Sequence, residues 1–346
     1  MRLPAEWEKQ SGIQLTWPHC DTEWYELEKV LECYVDIASQ ITRFEKLIIA
    51  TRDIDECKSD IQRITAQKGI TLDMNKISFH QTALNDTWAR DHCGISVYGD
   101  NGEKFIYDFV FNGWGLKFAS NLDNQITKNL LFDGAFAEDV IGVDMRPYVL
   151  EGGSIDSDGC GTMLTTTECL CSINRNEYLS KEEIEDELKT AFGLDRILWL
   201  DYGAIIGDDT DSHVDTLARF CSVDTIAYVQ CEDESDPHYP ELKKMEEQLM
   251  IFRTTEGQPY KLIPLPLPEP LYLDDYRLPA SYANFLIVNG GVLLPGSGSA
   301  LDEVARERLQ EAFPGREVVI IDCKALLSGH GSLHCVTMNY PDGYLA

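Results

Sequence analysis

Short apolar runs alternate along the chain with longer stretches whose apolar residues recur every three or four positions. The short runs fit buried strands, and the longer stretches fit helices that bury one face. Ser180 followed by Glu183 forms a capping box at the start of one such helix. Strands are predicted at residues 13–17, 47–50, 77–79, 94–97, 104–109, 196–200, 282–288, 292–294 and 317–321. Helices are predicted at residues 22–44, 53–67, 123–132, 180–192, 239–252 and 301–312.

This alternation predicts an α/β fold, because repeated strand–helix units are typical of that class. The proline-rich residues 262–271 are predicted to form an extended connection. The strand–helix order recurs along the chain, although no sequence repeat accompanies it. No segment has the composition of a long linker. A single domain spanning residues 1–346 is therefore the simplest organisation.

The charge of the chain narrows the choice of partners. A formal net charge of −30 argues against nucleic acid and anionic membrane surfaces as partners. The same charge suits a small cation, because a field of one sign concentrates counter-ions. No apolar run approaches the about 20 residues that span a bilayer. A protein without a membrane segment is expected.

Cysteine usage and the first residues indicate the compartment. The eleven cysteines are an odd number, and residues 1–8 lack the apolar core of an export signal. These features predict reduced thiols and a cytoplasmic protein.

Glycine and polar residues interrupt the apolar pattern in four places. Acidic side chains beside apolar runs need a partner if they are buried, so four such places suggest one shared site. In the last of them, glycines lead into Leu333, His334 and Cys335, a pattern typical of a tight loop that presents one side chain. Cys335 is therefore a candidate nucleophile, and a buried, inert cysteine is the alternative. The four segments are residues 88–91, 151–153, 208–215 and 329–335.

Several carboxylates, a thiol and no cluster of basic residues suit a planar cation better than an anion. A guanidinium carries five N–H donors in one plane, and two flanking carboxylates can each accept two of them. Such a clamp would hold the central carbon in front of Cys335, which could form a covalent adduct with it. A histidine would then protonate the departing ammonia and activate water. These residue types therefore point to hydrolysis of a guanidine.

A zinc hydrolase is the rival interpretation of the same residues. His213 and Asp215 could be metal ligands, together with His334 and Cys335. The sequence contains no His-x-x-x-His pair, and its acidic excess fits cation recognition better.

The four segments, with the Phe-Asn-Gly-Trp-Gly stretch at residues 111–115, resemble the agmatine deiminases. These enzymes belong to the guanidine-modifying superfamily, with the arginine deiminases and the bacterial peptidyl-arginine deiminases. The resemblance covers nearly the whole chain. Its motifs are Trp-Ala-Arg-Asp, Glu-Gly-Gly-Ser, Asp-Thr-Asp-Ser-His-Val-Asp and His-Gly-Ser-Leu-His-Cys-Val-Thr. It implies a five-bladed α/β propeller, the pentein fold, with strand–helix units around a central active site.

The resemblance also implies roles for individual residues, without a cofactor or metal. Cys335 is the nucleophile and forms a thiouronium-type intermediate, and His213 is the general acid and base. Asp91 and Asp215 grip the guanidinium, Glu151 joins the catalytic group beside His213, and Trp88 lines the substrate channel. Asp209 or Asp211 is expected to meet the distal ammonium of agmatine. Trp114 either lines the pocket or packs a turn.

Three positions depart from the commoner family pattern. His330 and Ser332 replace the second glycine and the asparagine of a Gly-Gly-Gly-Asn stretch, and Ser212 stands where glycine is usual. These changes border the active residues, so they bear on recognition of the substrate's tail.

The expected reaction is hydrolysis of agmatine to N-carbamoylputrescine and ammonia, on the route to putrescine. Deimination of arginine, free or at a peptide terminus, is the nearest alternative. A non-enzymatic binding protein on the same propeller fold is a third. A homodimer is the expected assembly.

Overall fold

The computed structural model describes residues 1–22 and 24–346, and these form a mixed α/β structure. In this part of the chain, no helix is both long enough and apolar enough to cross a membrane. The strands are β1 (Gln10–Thr16), β2 (Lys46–Thr51), β3 (Ile77–Gln81), β4 (Ile95–Tyr98), β5 (Lys104–Val110), β6 (Val140–Val149), β7 (Ile155–Ser157), β8 (Thr162–Thr166), β9 (Arg196–Leu200), β10 (Ala218–Ser222), β11 (Thr225–Gln230), β12 (Lys261–Pro266), β13 (Tyr272–Leu273), β14 (Tyr276–Arg277), β15 (Leu286–Val288), β16 (Gly291–Gly296), β17 (Glu317–Asp322) and β18 (Thr337–Pro341).

The longer helices connect strands, and several short helices lie in the loops between them. The helices are α1 (Leu27–Phe44), α2 (Ile54–Lys68), α3 (Ala89–His92), α4 (Gly113–Leu116), α5 (Ile126–Phe132), α6 (Thr167–Leu170), α7 (Ile173–Asn176), α8 (Lys181–Phe192), α9 (Tyr239–Ile251), α10 (Leu301–Ala312) and α11 (Lys324–Leu327). Single turns of 3₁₀ helix occur at Met74–Lys76, Asp123–Gln125, Gly152–Ser154 and Val214–Thr216.

Five of the sheets in the described chain repeat one pattern. Each contains an antiparallel pair whose second strand continues into a parallel pair, and a helix covers the parallel crossover. The strand orders are β18-β1-β2-β3, β4-β5-β6, β7-β8-β9, β10-β11-β12 and β15-β16-β17. The first sheet joins the two ends of the chain, because β1 pairs antiparallel with β18. A small hairpin of β13 and β14 lies outside these five sheets.

Local signals account for the helix boundaries that were predicted correctly. The Ser180 side chain accepts a hydrogen bond from the Glu183 amide, and Glu183 bonds back to Ser180, so the predicted capping box is confirmed. That helix ends at Gly193, whose φ of 65° is readily adopted by glycine. Asp53 caps α2 by accepting bonds from the amides of Asp55 and Glu56.

Two predicted element boundaries are wrong for reasons visible in the structure. Helix α1 begins at Leu27 rather than at Asp21 or Thr22, because residues on either side of position 23 form tight turns. Residue 23 itself lies outside the described residues. The strand predicted at residues 282–288 is shorter, since β15 begins only at Leu286.

Strands β12 and β6 are among those that were not predicted. Residues 261–266 form β12 despite two prolines, because β12 lies at the edge of its sheet and pairs there with β11 alone. Strand β6 at Val140–Val149 is mostly solvent-facing, so its apolar pattern is weak.

The repeated sheets give the chain five equivalent places for a functional side chain. In each sheet, the segment just before the first strand of the antiparallel pair carries a buried polar group or thiol. Those groups are Asp91 before β4, Glu151 before β7, Asp215 before β10, Asn284 before β15 and Cys335 before β18.

Candidate active site

Cys335 ends a loop that packs tightly against aromatic rings. A Cβ atom added to Gly331 would lie 2.2 Å from the Trp88 ring, and one added to Gly329 would lie 2.5 Å from the Trp24 ring. Only glycine allows this close approach. The Cys335 side chain is buried at 4% exposure, and its Sγ lies 3.8 Å from Asp215 Oδ2.

Asp91 is held in place from two sides. Its Oδ2 accepts a hydrogen bond from Trp114 Nε1 at 2.9 Å, and its Oδ1 accepts one from the Gly153 amide at 3.1 Å. The carboxylate therefore has a fixed orientation. Trp114 both packs its turn and contacts a predicted substrate-binding residue.

Asp215 is fully buried, and one of its oxygens is committed. Its Oδ2 bonds His334 Nδ1 at 2.7 Å, and His334 Nε2 in turn bonds Glu6 Oε2 at 2.9 Å. Asp215 Oδ1 has no hydrogen-bond partner among the described residues. A buried carboxylate oxygen without a partner is costly unless a ligand supplies the donor.

His213 lies between the two predicted acidic partners. Its Nδ1 is 3.5 Å from Asp91 Oδ1, and its Nε2 is 4.0 Å from Glu151 Oε2. Neither ring nitrogen makes a hydrogen bond of normal geometry to another described residue. The imidazole is therefore free to exchange a proton with a ligand.

Gly153 shows how closely these groups converge. A Cβ at this position would lie 2.6 Å from His213 Nδ1, 2.8 Å from Asp91 Oδ1 and 3.1 Å from Asp215 Oδ2. Three side chains from two distant segments of the chain thus surround a single backbone position. With Cys335 beside Asp215, the structure brings four predicted residues into one place.

The carboxyl groups of Asp91 and Asp215 have different affinities for protons. Burial, together with the charge of Asp215, raises the pKa of Asp91 to about 6, although His213 opposes this shift. Burial would also raise the pKa of Asp215, but the hydrogen bond and charge of His334 outweigh it and lower that pKa. Asp215 is therefore ionised at neutral pH.

The pKa values of His213 and of the Cys335 thiol are both raised, which favours the protonated form of each. Burial alone would lower the pKa of His213, but Asp91, Cys169 and Glu151 hold that pKa well above its usual value. Burial raises the pKa of Cys335 well above its usual value, and the charges of Asp215 and Asp91 add to the effect. The free site therefore contains an imidazolium and a neutral thiol.

A cavity of about 390 Å³ opens onto Cys335 and Asp91. Its walls include three tryptophans: Trp24 and Trp88 have ring centroids 5.2 Å apart, and Trp88 and Trp114 have centroids 6.3 Å apart. Among the described residues that line it, none is a lysine or an arginine. Besides Cys335, the charged or titratable lining residues are Asp21, Asp86, Asp91, Asp209 and His330.

The structure separates the two acidic residues predicted for the distal ammonium. Asp209 lines the cavity, and burial raises its pKa to about 6 against the opposing charge of His330. Asp211 does not line the cavity. Its two oxygens bond Lys117 Nζ at 2.7 Å and Arg175 Nη1 at 2.6 Å. Asp211 thus ties its own loop, residues 208–215, to Lys117 and Arg175.

Two of the departures from the family pattern occupy left-handed backbone. His330 has a φ of 69° and Ser212 a φ of 63°, a region that glycine adopts without strain. His330 is held by a bond from its Nδ1 to the Gly207 carbonyl at 2.9 Å and by its ring contact with Tyr276. It lines the cavity beside Asp209.

Three buried residues of the site were not recognised from the sequence. Arg175 binds both oxygens of Glu151 through Nε, at 2.9 and 3.1 Å. Asn284 contacts Cys335 Sγ through Nδ2 at 3.2 Å, and Cys169 lies against His213. The order of the sheets would have revealed Asn284, because it occupies the position before β15 that corresponds to the other site residues.

His334, one of the residues proposed for a rival zinc site, is already hydrogen-bonded to carboxylates. Both ring nitrogens of His334 bond carboxylates, at 2.7 and 2.9 Å. Another group, formed by Glu151, Cys169 and His213, places potential ligand atoms within 4.8 Å of one another. Arg175 already binds both oxygens of Glu151 there, and its positive charge opposes a cation.

Comparison with known proteins places the chain in a family. A family profile described as Porphyromonas-type peptidyl-arginine deiminase matches residues 2–341. An agmatine deiminase of Pseudomonas syringae pv. tomato is 34% identical over 99% of this chain and 96% of the relative.

Solved structures agree over the same length. A structure of C. jejuni agmatine deiminase with substrate bound is 37% identical, with a TM-score of 0.88, and 99% of this chain and 96% of that chain are covered. A crystal structure from Porphyromonas gingivalis, provisionally named an arginine deiminase, is 48% identical with a TM-score of 0.92 and covers 99% of both chains. The chain therefore belongs to the family of Porphyromonas-type peptidyl-arginine deiminases.

Proposed function

We propose that this protein is an agmatine deiminase, which hydrolyses agmatine to N-carbamoylputrescine and ammonia on the route to putrescine. The observation that carries the proposal is the cavity itself. A thiol and a carboxylate lie at Cys335 and Asp91, further carboxylates line the walls, and no described lining residue is a lysine or an arginine. Agmatine carries a positive charge at each end and fits such a cavity.

Asp91 and Asp215 grip the guanidinium. The unpaired Oδ1 of Asp215 can accept an N–H of the guanidinium, and the fixed carboxylate of Asp91 lines the cavity. The ring of Trp88 walls the channel beside them, and Asp209 meets the distal ammonium. The central carbon is then held next to Cys335 Sγ.

Binding of the cation prepares the nucleophile. The charges of Asp215 and Asp91 disfavour a thiolate in the free site, and a bound guanidinium neutralises both. The thiol of Cys335 then loses its proton to solvent, and the sulfur attacks the guanidinium carbon. A tetrahedral adduct results.

His213 moves the proton in both half-reactions. As an imidazolium it protonates the departing nitrogen, so that ammonia leaves and a thiouronium remains on Cys335. The neutral imidazole next accepts a proton from water as the water attacks the same carbon. As the C–S bond breaks, the remaining hydroxyl proton passes to solvent, and the neutral carbamoyl product leaves Cys335 as a thiolate. Glu151, 4.0 Å from His213, stabilises the imidazolium.

Arginine, free or at a peptide terminus, is the second candidate substrate. Arginine carries the same guanidinium group, and the P. gingivalis relative is provisionally named an arginine deiminase. An arginine carboxylate would enter a cavity lined by Asp21, Asp86 and Asp209 without a lysine or arginine among the described lining residues. That repulsion favours agmatine. A propeller-fold binding protein without turnover remains the non-enzymatic alternative.

We further propose that the five repeated sheets form the blades of a five-bladed α/β propeller within one catalytic domain, residues 1–346. Support comes from the equivalent position of one site residue before each sheet. A cytoplasmic location is proposed from the odd number of cysteines and from a nucleophile that must stay reduced. The homodimer stays a prediction, to be tested by light scattering.

Ammonia release from agmatine, arginine and a short arginyl peptide tests the proposed function. We expect agmatine to give the highest kcat/KM, Cys335→Ala to abolish turnover, and Cys171→Ala, which removes an exposed thiol, to leave it unchanged. Higher turnover of arginine or of the peptide would replace the proposed substrate. Full activity in Cys335→Ala would overturn the mechanism.

A further inference from the structure

The side chain of His330 lines the cavity and has no assigned role. Its backbone amide bonds the Leu327 carbonyl at 3.0 Å, so the residue stands just past the end of α11. Its φ of 69° is left-handed, a conformation that glycine adopts without strain at a helix end. A side chain here costs free energy that glycine would not cost. A strained residue that lines a site points to a function for its side chain.

The contacts of the His330 ring determine which nitrogen can meet a ligand. Nδ1 lies 2.9 Å from the Gly207 carbonyl oxygen, and a carbonyl can only accept, so Nδ1 carries the hydrogen. In the neutral imidazole, Nε2 is then a hydrogen-bond acceptor. Gly207 does not line the cavity, and Nε2 bonds no described residue. The acceptor edge of the ring is therefore available to a ligand in the cavity.

The His330 ring is held on a second side by the hairpin of β13 and β14. The Tyr276 ring meets it edge-on, with centroids 5.4 Å apart and planes at 76°. The neighbouring Arg277 binds Asp236 at 2.8 Å, which anchors the hairpin. A Cβ added to Gly207 would collide with the Arg277 carbonyl, so the loop and the hairpin pack directly against each other. The two partners of the ring therefore keep it in one orientation.

Asp209 is the acidic neighbour of His330 in the cavity wall. The charge of His330 acts on the pKa of Asp209, so the two side chains lie close together, yet no hydrogen bond or ion pair joins them. Two acceptors that face one cavity without bonding each other can share a donor group. A primary ammonium has three N–H donors, which is enough for a carboxylate and an imidazole.

We propose that His330 is a specificity-determining residue whose Nε2, together with Asp209, binds the terminal ammonium of a guanidinoalkylamine substrate. Asp209 supplies the negative charge. His330 supplies direction, because the lone pair of an imidazole lies in the plane of the ring. A guanidine whose tail ends in a methyl group gains nothing from either side chain. This inference rests on the proposed function and names the substrate group that His330 recognises.

The ratio of kcat/KM for agmatine to kcat/KM for butylguanidine tests this role, because only agmatine carries the ammonium. His330→Asn is the sharpest variant: asparagine tolerates left-handed backbone, its NH₂ group takes the place of Nδ1–H against Gly207, and nothing replaces Nε2. We expect the ratio to fall about 10-fold or more, as when a hydrogen bond to a charged group is lost. His330→Gln, whose amide reaches the place of Nε2, should keep more of the ratio.

His80→Asn is the matched control. His80 Nδ1 is also held by a single acceptor, Asp133 Oδ2 at 2.6 Å, and His80 does not line the cavity. The ratio should therefore equal that of the wild type. If His330→Asn does not fold, His330→Gly, which relaxes the backbone, takes its place with the same expected fall.

Calorimetric binding to the inactive Cys335→Ala protein makes the same comparison without turnover. Adding His330→Asn should raise the Kd of agmatine about 10-fold or more and leave the Kd of butylguanidine unchanged. A rise of equal size for both ligands would overturn the assignment, because His330 would then only shape the cavity.

The outcomes separate this assignment from the proposed function. A wild-type protein that releases no ammonia from agmatine overturns the proposed function, and the two Kd values still decide the role of His330. An active wild type whose His330→Asn variant keeps the full ratio of agmatine to butylguanidine overturns the role of His330 alone.

Discussion

Gly153 lies where the side chains of the site converge, and at the scale of single residues it is the most constrained position. Substitution by alanine would place a methyl group 2.6 Å from His213 Nδ1 and 2.8 Å from Asp91 Oδ1. Both atoms belong to buried, tightly packed side chains, so they must move. A displacement of about 1 Å in a catalytic group can cost about 100-fold in rate.

We therefore expect Gly153→Ala to reduce kcat/KM for agmatine about 100-fold while the circular dichroism spectrum is retained. Gly315→Ala is the matched control, because a Cβ there meets no atom within 4 Å. Near-normal activity in Gly153→Ala would mean that the side chains do not converge as described.

The acid side of the pH profile reports on Asp91. Its pKa of about 6 means that the carboxyl is neutral below that pH in the free enzyme and cannot pair with a guanidinium. We expect kcat/KM for agmatine to fall as the pH decreases through about 6, because the clamp is lost.

Asp209 has a pKa of about 6 as well, so a variant is needed to separate the two groups. Asp209→Asn should raise KM for agmatine and keep the acid limb. An acid limb that disappears in Asp209→Asn would assign it to Asp209 and contradict the role given to Asp91.

The residues that the sequence identified share one property. Cys335, His213, Asp215, Asp91 and Glu151 stand beside glycines or in polar breaks between apolar runs. Asn284 was missed because it stands inside the apolar residues 282–288, which were predicted to be one strand. Asn284 lies outside the strand because β15 starts only at Leu286, and tertiary structure sets that start.

At the scale of elements, Arg175 on α7 joins two parts of the site. Its Nε binds Glu151, its Nη1 binds Asp211, and its Nη2 binds the Thr210 carbonyl at 2.9 Å. The loop that carries Thr210 also carries Asp209 and His213. One buried guanidinium therefore fixes Glu151 and this loop together.

Lysine at position 175 would keep the charge but could not satisfy three partners in one plane. We expect Arg175→Lys to lower kcat about 10- to 100-fold, because His213 and Glu151 lose their mutual orientation. Arg316→Lys is the control, since the hydrogen bonds of Arg316 in the described chain go to the carbonyl groups of Val288 and Trp7, outside the site. Equal activities of the two variants in the same assay would contradict this role.

Elements with strong local signals, such as regularly spaced apolar residues or a capping box, were predicted well. Strands that form only through pairing with their neighbours were not. The capping box at Ser180 is local, so the sequence contains the whole signal. Strand β12 contains Pro264 and Pro266, and it forms because a sheet edge tolerates missing donors. Whether a strand becomes an edge is decided by the assembled sheet.

At the scale of the whole molecule, the net charge of −30 acts on a doubly charged substrate. A field of one sign raises the local concentration of counter-ions, and salt screens it over a length of about 10 Å at 0.1 M. We expect kcat/KM for agmatine to fall more steeply with ionic strength than that for butylguanidine, which lacks the distal ammonium. Identical salt dependence for the two substrates would rule out steering by the net charge.

The repeated strand–helix order was visible in the sequence, whereas the five-sheet pattern was not. Two of its strands, β6 and β12, carry weak or proline-broken apolar patterns, and β18 pairs with β1 across the whole chain length. Long-range pairing of this kind leaves no local signal. The five-bladed propeller came from the resemblance alone and remains a proposal.

The proposed mechanism requires a covalent bond between Cys335 and the guanidinium carbon of agmatine. Mass spectrometry of the wild-type protein, quenched with acid during turnover of agmatine, looks for this bond. We expect an adduct with the mass of agmatine minus ammonia on the peptide that contains Cys335. Ammonia release without any such adduct on Cys335, or with the adduct on another of the eleven cysteines, would contradict it.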